Sequence, residues 1–217
     1  MVETVIVVTG GPAPGRPVLA TLPAGATVVA ADSGIDHALA LGLRVDLAVG
    51  DFDSVSAAGL RAVEAAGARV VRHPAAKDAT DAALALDAAL ALGPRRLLVA
   101  GLDGGRLDHL LGLLLLLAAE RYAGVELDAL LGPAVVHVIR GERRLAGVPG
   151  EIVSLLALHG PAEGVVTEGL EYPLRGETLA PGSTRGISNV FAGAEARITL
   201  ERGVLLAVRP GEERRAE

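Results

Sequence analysis

The stretch LAVGDFDSVSAAGLRAVEAAGARVV, residues 47–71, joins a short apolar run, a turn with two aspartates, an alanine-rich segment of helical length and a second apolar run. A strand, a helix and another strand in this order form the βαβ unit of a parallel sheet. Similar apolar runs occur at residues 5–8, 28–31 and 97–100. We therefore predict a parallel-sheet α/β domain, whose clearest helices cover residues 56–66 and 80–92.

The pattern changes near residue 125. From about residue 130, short strands are separated by glycine and proline, and they fall at residues 135–140, 151–156, 164–167, 197–200 and 204–208. Such spacing is typical of a small antiparallel β-sandwich or roll. The sequence thus predicts two domains, an α/β domain at residues 1–128 and a β domain at residues 129–217.

Composition narrows the classes of function. The 217 residues carry a net charge of -6 and only 2% aromatic residues, so we expect no nucleic-acid partner. The chain has no cysteine, which excludes disulfides and thiolate metal sites. The longest apolar run, residues 110–119, is about half the ~20 residues that a membrane-spanning helix needs. We expect this run to form a buried helix, and we expect a cytoplasmic protein without a membrane partner.

All eleven aspartates lie within the first 128 residues. Asp51 and Asp53 directly follow the apolar run 47–49, and Gly50 allows the backbone to leave strand geometry there. Carboxylates at the strand ends of an open parallel sheet are placed where such sheets bind ligands, and together they suit a divalent cation. A turn that leads into a helix capped by Ser54 or Ser56 is an equally good interpretation of this segment alone.

A second acidic segment, Lys77-Asp78-Ala79-Thr80-Asp81, opens the predicted helix 80–92. Helix capping explains an acid at this place but does not explain Lys77, the only lysine beside nineteen arginines. One ammonium group between acidic clusters suggests a point-charge contact to phosphate or carboxylate. The alternative is a solvated surface lysine.

A third segment, Gly101-Leu102-Asp103-Gly104-Gly105-Arg106-Leu107-Asp108-His109, connects a predicted strand to an apolar helix. A glycine-rich turn exposes backbone amides to an anion, and in this turn Arg106 can hold phosphate oxygens while Asp108 faces a metal ion. His109 could act as a base or ligand, but a histidine that enters an apolar helix is more often a packing residue.

With Ala31-Asp32-Ser33-Gly34, these three segments resemble the motifs of the thiamine pyrophosphokinase family, and they occur in the same order. The resemblance continues into the β domain, at Gly169-Leu170-Glu171-Tyr172-Pro173-Leu174 and at Arg185-Gly186-Ile187-Ser188-Asn189-Val190-Phe191. It therefore covers nearly the whole chain, and the combination of motifs is highly specific.

The resemblance implies transfer of pyrophosphate from ATP to the hydroxyl group of thiamine, which gives thiamine diphosphate and AMP and requires Mg²⁺. It implies catalytic roles for Asp51, Asp53, Asp81 and Asp108, the first three as magnesium ligands. It implies nucleotide, phosphate or thiamine contacts for Asp32, Lys77, Asp78, Thr80, Arg106, Ser188 and Asn189. Family members are homodimers, so the resemblance also implies a thiamine site shared between two subunits.

Three other functions fit part of the sequence. Asp51 and Asp53 resemble the first motif of aspartate-nucleophile phosphatases, but Lys77 comes too early for that family and no acidic pair follows Asp108. A pyrophosphokinase that acts on a pterin alcohol is closer, although it would lack the Ser188-Asn189 loop. A degenerate, non-catalytic dimer that binds ligands would be expected to have lost some of these acids.

Overall fold

The computed structural model describes residues 2–11, 22–76, 78–101 and 106–211. The chain divides into two compact units, Met1–Leu116 with Val125–Gly132, and Leu117–Gly124 with Pro133–Glu217. The catalytic role predicted for residues 1–128 and the thiamine-binding role predicted for residues 129–217 stay predictions.

The first unit is built from alternating strands and helices, as predicted. Its strands are β1 (Thr4–Val8), β2 (Thr27–Ala31), β3 (Leu47–Gly50), β4 (Arg69–Arg72), β5 (Arg96–Ala100) and β6 (Glu126–Leu131). Its helices are α1 (Gly34–Ala40), α2 (Ala57–Ala65), α3 (Asp81–Leu90) and α4 (Leu107–Leu117), the last of which ends at the unit boundary. The strands pair in parallel in the order β6-β5-β1-β2-β3-β4.

The strand order reverses at β1, which lies between β2 and β5. In open α/β sheets, ligands bind in the crevice outside the carboxyl ends of the strands at such a reversal. Val5, Val7 and Val8 of β1 are fully buried, because helices cover a parallel sheet and its central strands become continuous apolar runs. The turns after β2 and β3, which carry the predicted acids, therefore lie at the edge where ligand binding is expected.

Two helices of this unit begin at capping residues. The Ser56 side chain accepts a hydrogen bond from the Gly59 amide, and the Thr80 side chain accepts one from the Ala83 amide. Such caps satisfy amides that have no partner in the first helical turn. The capping interpretation of Ser56 is therefore confirmed, and the acids before it lie in the connecting loop, outside the helix.

The prediction of a buried helix at residues 110–119 is wrong in part. The segment is helical over Leu107–Leu117, and Leu113 and Leu117 are buried, but Leu111 and Leu115 are about half exposed. A helix at the surface of a unit buries only one of its sides. Leucines on the other side of such a helix stay exposed, even when apolar residues occur on every side. Within the described residues, no helix is both long enough and apolar enough to cross a bilayer.

The second unit is antiparallel. Its strands are β7 (Ala134–Ile139), β8 (Glu142–Ala146), β9 (Ile152–Ala157), β10 (Ala162–Glu168), β11 (Arg175–Leu179), β12 (Asn189–Val190), β13 (Glu195–Thr199) and β14 (Leu205–Arg209). They form the groups β12-β9-β14-β7 and β11-β10-β13-β8. Phe191, Leu155 and Ile198 are among the buried residues of the core of this unit. The predicted fold class, a parallel α/β part followed by an antiparallel β part, is confirmed.

Candidate active site

Three carboxylates come together at the carboxyl edge of the parallel sheet. Asp32 follows β2, and Asp51 and Asp53 follow β3, which is the neighbouring strand. Each of the three offers an oxygen atom, and these oxygens all lie within 4.8 Å of one another. The register Ala31 with Val49 brings the two strand ends level, so residues far apart in sequence meet at one point.

Asp32 is the buried member of this acid cluster. Its backbone has φ 46°, and its amide donates to the Val49 carbonyl oxygen over 3.0 Å. Only 8% of the residue is exposed, and its Oδ1 atom has no hydrogen-bond partner in the described part of the chain. Burial raises the pKa of the Asp32 carboxyl and the charge of Asp81 raises it further, whereas hydrogen bonds from Ser33 and Ser54 lower it.

Gly50 and Asp81 complete the surroundings of Asp32. Gly50 has φ 154°, and a Cβ atom at this position would lie 3.2 Å from Asp81 Oδ1 and 3.3 Å from the Asp32 Cβ. Glycine therefore provides the room in which these two acids approach β3. Asp81, the first residue of α3, is half-buried and lies beside the group of three.

This donor set fits a hard divalent cation. Carboxylate oxygens are the ligands that Mg²⁺ prefers, and Mg²⁺ commonly uses a few carboxylates together with water and substrate phosphates. A buried carboxylate oxygen without a partner costs free energy unless a cation or hydrogen bond compensates it. Asp32 Oδ1 is such an atom, and Asp32 belongs to the only group of three or more such side chains found among the described residues.

We expect Asp32→Asn to raise the melting temperature of the metal-free protein at pH 7. Burial raises the pKa of Asp32 in the folded protein above its ordinary value of 3.8. The stability that the protonated form contributes is therefore lost as the pH rises from 3.8 through the raised pKa. Asn carries no charge, so it avoids this loss, and it tolerates the positive φ. The two proteins should melt alike near pH 3 and diverge toward pH 7. Differential scanning fluorimetry in EDTA measures this difference.

Added Mg²⁺ provides the reciprocal test of the same variant. Millimolar Mg²⁺ should raise the melting temperature of the wild-type protein, because a ligand that binds only the folded state stabilises it. The increase should be lost in Asp32→Asn. Equal responses of the two proteins to Mg²⁺ would remove Asp32 from the cation site.

Arg106 and Asp108 pair with each other in the described structure. Arg106 Nη2 donates to Asp108 Oδ2 over 2.6 Å and its Nε to Oδ1 over 3.2 Å. This hydrogen-bonded pair holds the pKa of Asp108 at about 2, although both side chains are mostly exposed. Asp108 is not in the group of three acids. For Arg106 to contact phosphate and Asp108 to contact a metal ion, as predicted, the two side chains must separate or bind the ligand together.

The Lys77 to Asp81 segment is described in part. Asp78 and Thr80 are exposed, and the Thr80 hydroxyl caps α3. Lys77 lies outside the described residues, as do Gly104 and Gly105 of the third segment. The predicted nucleotide and phosphate contacts of this segment stay predictions.

Ser188 and Asn189 belong to the second unit, away from the acids in sequence. Ser188 is exposed with φ 55°, and its amide donates to the Ser154 hydroxyl. The buried Asn189 side chain binds the backbone of Tyr172 twice, accepting from its amide over 3.0 Å and donating to its carbonyl oxygen over 2.7 Å. The Asn189 oxygen also accepts from the Val190 amide, so Asn189 holds the backbone of the exposed Tyr172 beside the residue that follows Ser188.

Two residues of the first unit escaped the sequence analysis. Phe52, between the two loop aspartates, has φ 64° and is only 9% exposed. Arg72, the last residue of β4, contacts both the Phe52 ring and the Asp51 carbonyl oxygen. A positive φ at phenylalanine has no signature in the sequence, and a contact over twenty positions depends on the strand pairing.

Together, the fold and the site define a class of protein. It has an α/β unit with a carboxylate cluster at the carboxyl ends of neighbouring parallel strands, joined in one chain to an antiparallel β unit. The chain matches the family model "Thiamin pyrophosphokinase, catalytic domain" over residues 21–127. It matches "Thiamin pyrophosphokinase, vitamin B1 binding domain" over residues 136–205. The chain belongs to the thiamin pyrophosphokinase family and is an enzyme of that family.

Known relatives support this membership along the full chain. The thiamine pyrophosphokinase of Bacillus subtilis (strain 168) is 29% identical over 219 residues, which cover 95% of this chain and 98% of the relative. The crystal structure of the Bacillus subtilis protein aligns with a TM-score of 0.85, at 26% identity over 97% of this chain and 100% of that chain. The Geobacillus thermodenitrificans thiamin pyrophosphokinase structure aligns with a TM-score of 0.82, at 27% identity over 99% and 100%.

Proposed function

We propose that this enzyme transfers the pyrophosphoryl group of ATP to the hydroxyl group of thiamine, which yields thiamine diphosphate and AMP. Membership of the family supports the reaction, and the acid cluster of Asp32, Asp51 and Asp53 is the observation that carries its chemistry. In-line displacement at phosphorus needs charge neutralisation and positioning more than covalent help from the protein.

We propose that Asp32, Asp51, Asp53 and Asp81 hold Mg²⁺, directly or through water. A magnesium ion bound there would neutralise phosphate charge and orient the pyrophosphoryl group. Asp32 contributes a buried oxygen that has no hydrogen-bond partner. The exposed Asp53 contributes a carboxylate oxygen on the solvent side of the cluster. Arg106 and Lys77 supply cationic groups for the phosphates, Asp78 and Thr80 lie at the nucleotide, and Asp108 orients Arg106.

Thiamine binding is proposed for the loop around Ser188 in the second unit. Ile187 and Tyr172 are 41% and 59% exposed, and the hydrogen bonds of Asn189 hold the Tyr172 backbone beside this loop. An exposed aromatic and an exposed aliphatic side chain suit the packing of a heteroaromatic ring, and the Ser188 hydroxyl suits its amino group. Asn189 then acts mainly by shaping the loop, because both lone-pair directions of its oxygen accept backbone amides.

The family resemblance also supports a cytoplasmic homodimer. Multi-angle light scattering on the purified protein measures the mass in solution, and a mass near the 22.0 kDa of one chain would contradict the dimer.

Incubation of the purified protein with ATP, Mg²⁺ and thiamine tests the reaction. We expect thiamine diphosphate and AMP in equal amounts, and we expect neither product when EDTA replaces Mg²⁺ or when a hydroxymethylpterin replaces thiamine. Release of ADP or inorganic phosphate without AMP would contradict pyrophosphoryl transfer. Product formed only from the pterin would favour the related pyrophosphokinase.

A further inference from the structure

The two acids of the loop after β3 lie on either side of a residue in an unfavourable conformation. Phe52 has φ 64°, a region that bulky side chains rarely enter because Cβ crowds the backbone. The Asp53 amide donates to Asp51 Oδ1 over 3.3 Å, which closes a tight turn around Phe52. Any relaxation of Phe52 would change the directions in which the Asp51 and Asp53 carboxylates point.

Arg72 contacts this turn at two consecutive residues. Its Nη1 donates to the Asp51 carbonyl oxygen over 3.0 Å, and its guanidinium carbon lies 4.7 Å from the centre of the Phe52 ring. Both contacts are to neutral groups, so neither of them cancels the positive charge of Arg72. A cation over the face of an aromatic ring is attracted by the ring quadrupole, and the planar guanidinium group can stack there while it donates.

The backbone of Arg72 is fixed by the sheet. Arg72 is the register partner of Gly50, and the His73 amide donates to the Gly50 carbonyl oxygen over 2.8 Å. Arg72 therefore reaches from a paired strand to the loop that begins directly after Gly50. A contact anchored in this way can keep the turn in one conformation.

We propose that Arg72 is a positioning residue, which holds Phe52 in its left-handed conformation and so keeps the Asp51 and Asp53 carboxylates together at the cation site. The inference rests on the proposed function in one respect, that this site takes Mg²⁺. Partners that orient metal ligands typically contribute 10- to 100-fold in metal affinity or activity.

Arg72→Met and Arg69→Met form a matched pair that tests the proposal. Arg69 is the first residue of the same strand and is exposed like Arg72, so its replacement removes one charge at the opposite end of β4. We expect Arg72→Met to weaken Mn²⁺ binding, measured by the electron paramagnetic resonance signal of free Mn²⁺, about tenfold or more. Arg69→Met should change it less than twofold. Arg72→Lys, which keeps a cation near the ring, should recover part of the loss.

A double-mutant cycle separates positioning from general stability. Asn enters the left-handed region at little cost, so an Asn at position 52 does not need Arg72 to hold it there. Arg72→Met should therefore weaken Mn²⁺ binding less than twofold when it is added to Phe52→Asn. A purely structural Arg72 would lower the melting temperature equally in both backgrounds and leave Mn²⁺ affinity unchanged. Mn²⁺ affinity within twofold of wild type in Arg72→Met would overturn the proposal.

A crystal structure of Arg72→Met distinguishes failure of this proposal from failure of the proposed function. We expect Phe52 to leave the left-handed region and the Asp51 and Asp53 oxygens to separate. An unchanged turn in the variant would overturn the role of Arg72, whatever the protein catalyses. If the turn changes in the variant but the wild-type protein makes no thiamine diphosphate, the positioning role of Arg72 is supported and the proposed reaction is contradicted.

Discussion

Asp53→Asn is expected to lower kcat/KM for thiamine diphosphate formation about 10³-fold or more. Asn has the shape of Asp and can still accept the hydrogen bond from the Ser54 hydroxyl, which measures 2.7 Å, so the loop should survive. The variant loses one of the three charges in the acid cluster. A cation that stabilises transition-state charge contributes several kcal/mol, and 10³-fold corresponds to about 4 kcal/mol.

Glu64→Gln is the matched control for this prediction. Glu64 is an exposed acid on α2, so this change removes one negative charge from the same unit without touching the site. Initial rates of AMP formation at saturating Mg²⁺ should stay within twofold of wild type. Both variants should melt within a few degrees of the parent, because Asp53 is exposed as well. A near-normal rate in Asp53→Asn would remove this residue from the cation site.

The features of the fold that depend on local sequence patterns could be predicted from the sequence. Apolar runs of strand length, alternating with alanine-rich segments, predicted the order of strands and helices in the first unit. Ser56 and Thr80 marked helix starts because a hydroxyl before a helix satisfies free amides. The acid cluster could be predicted as well, since carboxyl ends of parallel strands share one edge and Asp32, Asp51 and Asp53 each follow a strand.

The features that depend on contacts between residues far apart in the sequence could not be predicted. The half-exposed side of α4 was not predicted, because eight leucines among its residues give no indication of which side meets the core. The positive φ values of Asp32 and Phe52 are stabilised by tertiary contacts and leave no mark in composition. Arg106 was expected to meet phosphate, yet in the described structure it pairs with Asp108, a neighbour that competes for the same guanidinium group.

Asn189 has a structural role that its motif did not predict, and its contact to thiamine stays a prediction. The motif predicted a hydrogen bond to thiamine, whereas the structure directs the Asn189 amide to the Tyr172 backbone seventeen positions earlier. In the same structure β12 pairs with β9, and Leu170 forms a β-bridge with Phe191, so the strands on both sides of this contact are held in place. The contribution of Asn189 to ligand binding therefore depends on the integrity of the loop, which in turn depends on the core below it.

Phe191→Ala is expected to destabilise the second unit by about 3–5 kcal/mol, because it leaves a large cavity in a packed core. Phe191 is fully buried, its amide donates to the Glu151 carbonyl oxygen, and its ring fills the space where a Cβ on Gly147 would lie only 2.5 Å away. For a chain of this size, 1 kcal/mol corresponds to about 2–4 °C, so the melting temperature should fall by roughly 10 °C.

Tyr172→Ala is the contrasting variant, since it removes an aromatic side chain of the second unit from an exposed position. Its melting temperature should change little, because exposed substitutions usually stay within about 0.5 kcal/mol. The KM for thiamine should rise, since the ring is proposed to pack against the vitamin. If Phe191→Ala melts like the parent while Tyr172→Ala unfolds early, the packing described for the second unit is wrong. An unchanged thiamine KM in Tyr172→Ala would move the thiamine site away from this loop.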